Sequence, residues 1–137
     1  MQLELVERIR IQYKIVIEGE DLPNPIGSFK NMLFPKPILK ALKRKNIIKP
    51  TAIQMQGLPP AYFAFLFLMV FGRLAGRDLV GTAFTSSGKS LVFILPLLML
   101  ALAEEIKFPL ISGEGPFGLI LVPSVGIVCF FFNFFVF

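Results

Sequence analysis

Hydrophobic and polar positions change rhythm several times along the chain, and each change marks an element. Near the start, Leu3, Leu5, Val6 and Ile9 are set among charges, which predicts a short amphipathic helix. The segment IEGEDLPNPIGSF, residues 17–29, breaks that rhythm with acids, two prolines and two glycines and reads as an extended arm. In FPKPILKALKRKNI the apolar Ile38, Leu39 and Leu42 fall at i, i+1 and i+4. They predict a second helix, with Asn46 placed to take the left-handed conformation just past its end. KPTAIQMQGLP follows, a turn opened by Pro50 with Thr51 as a candidate N-cap. Beyond an apolar run, RDLVGTAF has the short β-compatible character of a buried strand over Leu79–Phe84. GKSLVFILPLLMLALAEEI predicts a long apolar helix bent by Pro96. FGLILVP predicts a second buried strand, Phe117–Val122, continuous in apolar residues as parallel strands usually are. Strand, loop, helix and strand in that order make one βαβ unit and place the chain in the α/β class.

Composition narrows the chemistry. The chain has 137 residues, enough for one domain or part of a larger one, and a single cysteine, Cys129. No intrachain disulfide can form, and a reducing compartment is the default. With no histidine, a histidine-based catalytic triad is excluded, and with one cysteine so is a zinc site. The net charge of +5 is unevenly placed, because ten of the fourteen Lys and Arg residues lie in the first 49 positions. Seven of these fall between Lys30 and Lys49 with no acid among them, either a contact for RNA phosphate or a solvated helix face. The N-terminal MQLELVERIRIQYK is charged and has no secretory character. Sixteen phenylalanines and no tryptophan make the remainder unusually apolar. The run AYFAFLFLMVF, 61–71, is too short to span a bilayer, which takes about 20 residues. The tail 117–137 is long enough, but Pro123, Ser124, two glycines and Asn133 interrupt it, so a transmembrane helix is not the preferred reading.

One stretch carries chemistry. Ala83-Phe84-Thr85-Ser86-Ser87-Gly88-Lys89-Ser90 follows the spacing G-x-x-x-x-G-K-[ST] of a phosphate-binding loop except at its first residue. Such a loop aims successive backbone N–H groups at phosphate oxygens, with a helix N-terminus behind it. Lys89 would neutralise the β and γ phosphates of a nucleotide, and Ser90 would ligate Mg²⁺. The alternative is an ordinary polar turn. The predicted strand before it and the helix starting at the lysine are the context that the phosphate-binding mechanism demands.

Upstream, PTAIQMQ resembles the Q motif of the DEAD-box RNA helicases, whose phosphate loop reads A-x-T-G-S-G-K-T and begins with alanine, as here. The resemblance implies ATP as cofactor with Mg²⁺, RNA as partner and a RecA-like fold. It also implies a nuclear or cytoplasmic place of action. Gln54 would read the adenine edge with an amide able to donate and accept at once. Phe29, seventeen positions before the motif when it is counted from Asn46, would stack on adenine, its alternative role being an ordinary core phenylalanine. The segments ERIRIQYKIVIEGEDLPNPIGSFKNMLFP, GRDLVGTAFT, SLVFILPLLMLALAEEI and GEGPFGLILVPS look like the abstrakt-type subgroup, especially its plant members. The resemblance covers roughly residues 4–60 and 74–124. It divides the chain into an N-terminal helix and arm (1–28), the Q motif with the first part of a RecA-like domain (29–124), and a Phe-rich tail outside the family pattern (125–137).

The sequence leaves that pattern in three places. Ser86 stands where the family has glycine, at an expected cost of about 1 kcal/mol in backbone strain. From Gln54 to Lys89 there are 35 positions, longer than the family interval by an apolar insertion at 61–73, read as a loop bulging outward. After Pro123 and Ser124, the beginning of an RNA-contacting motif in the family, the chain reads VGIVCFFFNFFVF in place of the family's R-E-L-A. The D-E-A-D run is absent. Translated T-rich intron would give phenylalanine-rich segments of this kind, and the preferred expectation is a truncated product able at most to bind ATP. The alternative is a variant whose 125–137 tail binds a membrane or a partner without catalysis.

Overall fold

The computed structural model describes residues 2–71, 78–107 and 119–123, with side chains described over 3–61, 78–103 and 119–123. Four helices form in chain order: α1 Gln2–Gln12, α2 Lys36–Arg44, α3 Ala52–Phe71 and α4 Lys89–Lys107, with a 3-10 turn at Phe29–Met32. The chain divides into two units, Met1–Leu100 and Ala101–Phe137.

In the first unit, α1 ends at Lys14 in a left-handed conformation (φ 52°). Ile15 N–H bonds back to Arg10 O at 2.8 Å and Lys14 N–H to Ile11 O at 3.2 Å, which satisfies the last carbonyls of the helix. The expected left-handed Asn46 closes α2 in the same way (φ 59°), with Ile47 N–H on Leu42 O at 2.9 Å and Asn46 N–H on Lys43 O at 3.0 Å. Ile38 and Leu42 are buried beneath α2, and Lys36, Lys40, Lys43 and Arg44 stand exposed. Residues 15–28, expected as an extended arm, form neither helix nor strand and bend at 19–21 and 27.

Helix α3 is buried on every side from Gln54 to Pro59, so no apolar stripe is visible in its sequence. Pro59 has no N–H to give the carbonyl four residues back, so Met55 O is left free within the helix. Ile26 N–H of the arm takes that carbonyl at 2.9 Å. On α4, Leu91, Val92, Ile94, Leu95 and Met99 are buried and turn one face of the helix inward. Gly57 lets α3 approach it closely, since a Cβ there would lie 2.7 Å from Val92 Cγ1. Pro96 lies within α4 without ending it.

Two expectations are corrected. The insertion does not bulge as a loop: α3 runs through Phe71. Residues 61–71 contain no glycine, proline or asparagine, and once a helix is nucleated each further residue adds a hydrogen bond at little cost. The parallel sheet is not formed among the described residues, which are helical or irregular. Leu79–Phe84 is irregular and has no strand partner among the described residues, with Val80 89% and Phe84 90% exposed. Of the second expected strand, Leu119–Val122 is likewise irregular and Phe117 and Gly118 lie outside the described residues. β-branched and aromatic residues favour strands when a pleated, half-buried surface is there to receive them. No such surface covers these segments among the described residues. Helix α4 begins at the lysine, as expected.

No helix among the described residues is long and apolar enough to cross a membrane, and the tail at 125–137 lies outside them.

Gly57→Ala should destabilise the chain by about 1–3 kcal/mol through overpacking against Val92, measured by urea unfolding. The double variant Gly57→Ala, Val92→Ala should lose less than the sum of the single losses. Strict additivity would show that α3 and α4 do not meet at this point.

Candidate nucleotide-binding site

The site is assembled from the first turn of α3 and the turn that leads into α4. Thr51 precedes α3, and Gln54 in its first turn reaches back so that its Oε1 accepts the Thr51 N–H at 3.0 Å. This is the glutamine half of a capping box, and it satisfies a donor at the helix start. The other end of the same amide leaves the helix: Gln54 Nε2 donates to Gly88 O at 3.0 Å. Thr51 Oγ1 donates to Ser87 O at 2.7 Å. Two side chains from one helix start therefore hold two consecutive carbonyls of the loop. Gln54 is only 2% exposed, so an unmet partner of its amide costs about 1–3 kcal/mol, whereas the Thr51–Ser87 bond is exposed.

The loop itself is a tight turn over Thr85–Ser87. Ser87 N–H bonds to Phe84 O at 3.3 Å, and Leu91 N–H to Gly88 O at 3.2 Å as α4 starts. Two residues are left-handed: Gly88 at φ 80° and Ser86 at φ 63°. Gly88 has no alternative, because a Cβ there would fall 2.2 Å from Gln54 Nε2. Ser86 takes the torsion that the missing glycine would have provided, at a cost of about 1 kcal/mol. Lys89 folds back over the loop and its Nζ donates to the carbonyls of Ala83 and, at 2.8 Å, of Phe84. Ser87 Oγ is buried and makes no hydrogen bond among the described residues. Ser90 is half-buried in the first turn of α4, while Thr85 and Phe84 are exposed.

The structure brings Gln54 and the 83–90 loop together. Phe29 is 4% exposed, its ring set 6.5 Å from that of Phe34 at 45°. Pro123 is exposed at a bend in the second unit, and Ser124 lies outside the described residues. Among the described residues no cluster of three His, Cys, Asp or Glu side chains is placed to hold a metal ion, so a protein-built metal centre finds no support there. The loop role of Thr51 was not foreseen. Neither was a polar contact beneath α3, where Gln56 Nε2 donates to Pro23 O at 2.7 Å and Arg10 Nε to Gln56 Oε1 at 3.3 Å. One sequence signal pointed there: a proline four residues after Met55, which frees a carbonyl for an outside donor.

Known proteins resemble this chain over most of its length. DEAD-box ATP-dependent RNA helicase 35 of Arabidopsis thaliana is 52% identical over 116 residues, 85% of this chain. The ATP-dependent RNA helicase abstrakt of Drosophila melanogaster is 48% identical over 124 residues, 90% of this chain. Over most of its length the chain is similar to DEAD-box ATP-dependent RNA helicases. A putative DEAD-box ATP-dependent RNA helicase 43 of Arabidopsis thaliana is also 48% identical, over 124 residues. The matched stretch is 18%, 18% and 21% of the length of these three helicases. No family model matches the chain. These relatives bear out the resemblance to DEAD-box RNA helicases, abstrakt type included.

Ser86→Gly should raise stability by up to about 1 kcal/mol, since glycine adopts φ 63° without strain. The check is a paired urea unfolding curve. An unchanged or lowered midpoint would show that the serine fits the turn unstrained.

Proposed function

We propose that this chain is an ATP-binding portion of an ATP-dependent RNA helicase, with the nucleotide phosphates held by residues 83–90. The observation that carries the proposal is the bonding of Gln54 and Thr51 to the loop carbonyls of Gly88 and Ser87, at the foot of a helix that begins at Lys89. The donor set fits a nucleotide. Lys89 supplies a cation, the start of α4 a partial positive charge, and Ser90 a hydroxyl suited to Mg²⁺ at the β and γ phosphates. Ser87 Oγ, buried without a partner, gains one if the loop opens around phosphate. Binding requires Lys89 to exchange two carbonyls for phosphate oxygens, a trade of neutral acceptors for charged ones that favours the nucleotide.

Adenine recognition falls to Gln54, whose 2%-exposed amide must be uncovered for a base to reach it. Its amide engages one donor and one acceptor within the protein and retains a second hydrogen on Nε2 and a second lone pair on Oε1. These match the complementary pair on the adenine edge. Phe29 is the proposed stacking partner, which requires its buried ring to be uncovered; packed on Phe34, it serves as the floor of the arm. A RecA-like α/β framework goes with the resemblance to these helicases. RNA as partner, with Pro123 and Ser124 as contacts, and a nuclear or cytoplasmic place of action belong to the same proposal.

Hydrolysis by the 137-residue polypeptide is not expected. Phosphoryl transfer needs Mg²⁺ held from both sides and a positioned water. Lys89 and Ser90 supply one side, and the chain contains no D-E-A-D run. Asp78 is exposed before the extended segment.

ATP should bind the purified chain in the presence of Mg²⁺, and Lys89→Ala should abolish that binding, as measured by calorimetry or a fluorescent ATP analogue. Equal binding by both proteins would overturn the phosphate-loop assignment. Gln54→Ala should weaken ATP more than GTP. Phosphate release stimulated by RNA and lost with Lys89→Ala would show that the chain turns ATP over after all.

A further inference from the structure

The first turns of α3 carry two glutamines, Gln54 and Gln56. Residues two apart on a helix point in nearly opposite directions, about 200° around the axis. Gln54 faces the loop. Gln56 faces a second polar cluster built from residues far away in sequence. Its Nε2 donates to Pro23 O at 2.7 Å and its Oε1 accepts from Arg10 Nε at 3.3 Å. Arg10 Nη2 lies 3.5 Å from the same Pro23 carbonyl and closes the triangle. Beside it, Ile26 N–H takes the carbonyl of Met55, which Pro59 has left without a partner inside the helix. Gln56 is buried, Arg10 half-buried and Pro25 between the two anchor points buried. Helix α3 is thus fastened to the loop on one side and to the arm and α1 on the other.

A helix held on one side only is free to roll about its axis. A roll of about 20° displaces an atom ~6 Å from the axis by about 2 Å, which is more than a hydrogen bond tolerates. The loop-side bonds of Gln54 therefore depend on what restrains the opposite side. We propose that Arg10 is a positioning residue for the nucleotide site. Through Gln56 and the Pro23–Ile26 segment, it sets the rotation of α3 and hence the placement of Gln54 against Gly88. The N-terminal helix, which makes no bond to the loop in the described contacts, then governs nucleotide affinity. The effect on affinity rests on the reading of residues 83–90 as a nucleotide loop; the effect on loop order does not.

The experiment compares the full chain with Arg10→Ala, Arg10→Lys and Gln56→Met. Amide hydrogen exchange across residues 86–91 without nucleotide is the first readout, and ATP affinity the second. Arg10→Ala and Gln56→Met should each speed exchange at the Ser87 and Leu91 amides by about three- to tenfold and weaken ATP by a similar factor. Arg10→Lys should recover part of the effect, because an ammonium reaches one of the two acceptors. In a Gln54→Ala background, Arg10→Ala should add nothing further at the loop, which separates positioning from a general loss of stability. Loop exchange unchanged by Arg10→Ala, or changed equally in the Gln54→Ala background, would overturn the proposal. If Arg10→Ala does not fold, Arg10→Lys decides the matter in the same assays. Absence of Lys89-dependent ATP binding would defeat the nucleotide reading alone, with loop exchange still deciding the role of Arg10.

Discussion

A single buried amide organises this chain. Gln54 caps the start of its own helix with one end and holds a loop carbonyl 34 residues later with the other. Local and tertiary structure are therefore coupled in one planar group: a change in the helix start moves the loop, and a change in the loop disturbs the cap. The close approach of Gly88, where no side chain fits, keeps the contact short. Placed in the interior, the amide cannot exchange its partners for water at low cost, and that burial makes the arrangement specific.

The loop conformation follows from competition for its carbonyls. Gln54, Thr51 and Lys89 together engage Gly88, Ser87, Phe84 and Ala83. The backbone must turn sharply to present them, and the left-handed torsions at Ser86 and Gly88 are the means. Glycine makes that turn freely and serine does not, so this loop holds its shape against a local preference. The lysine that the family resemblance assigns to phosphate is, in this conformation, a donor to its own backbone. Nucleotide affinity then reflects the difference between two sets of acceptors for one ammonium group rather than the strength of either.

Much of this was readable in the residues. Asn46 just past a run of basic residues announced the end of α2, and the Gly-Lys-Ser tripeptide ahead of an apolar run announced the start of α4. PTAIQMQ together with an alanine-led loop was enough to find the family. What escaped reading has a common physical cause: dependence on partners distant in sequence. The 79–84 segment has strand-forming residues, but strand formation is a property of pairs, and among the described residues no pair is present. The apolar run at 61–71 has no periodicity to separate helix from loop, and continuation from an already formed helix decided it. Arg10, Pro23 and Gln56 meet across separations of 13, 33 and 46 positions, and nothing in any of the three local sequences marks the meeting. Burial of Gln54 to Pro59 on all sides likewise erased the stripe by which a helix is normally recognised.

The exposed apolar side chains of Leu79, Val80 and Phe84 have a consequence beyond the site. A segment with no strand partner among the described residues and with Leu79, Val80 and Phe84 open to solvent offers apolar side chains to a strand from any neighbour able to supply one. Where that neighbour is a second copy of the same chain, self-association grows with concentration and the recovered material is set by a race against it. The residues that lead into the loop therefore bear on how long the polypeptide persists, quite apart from what it binds.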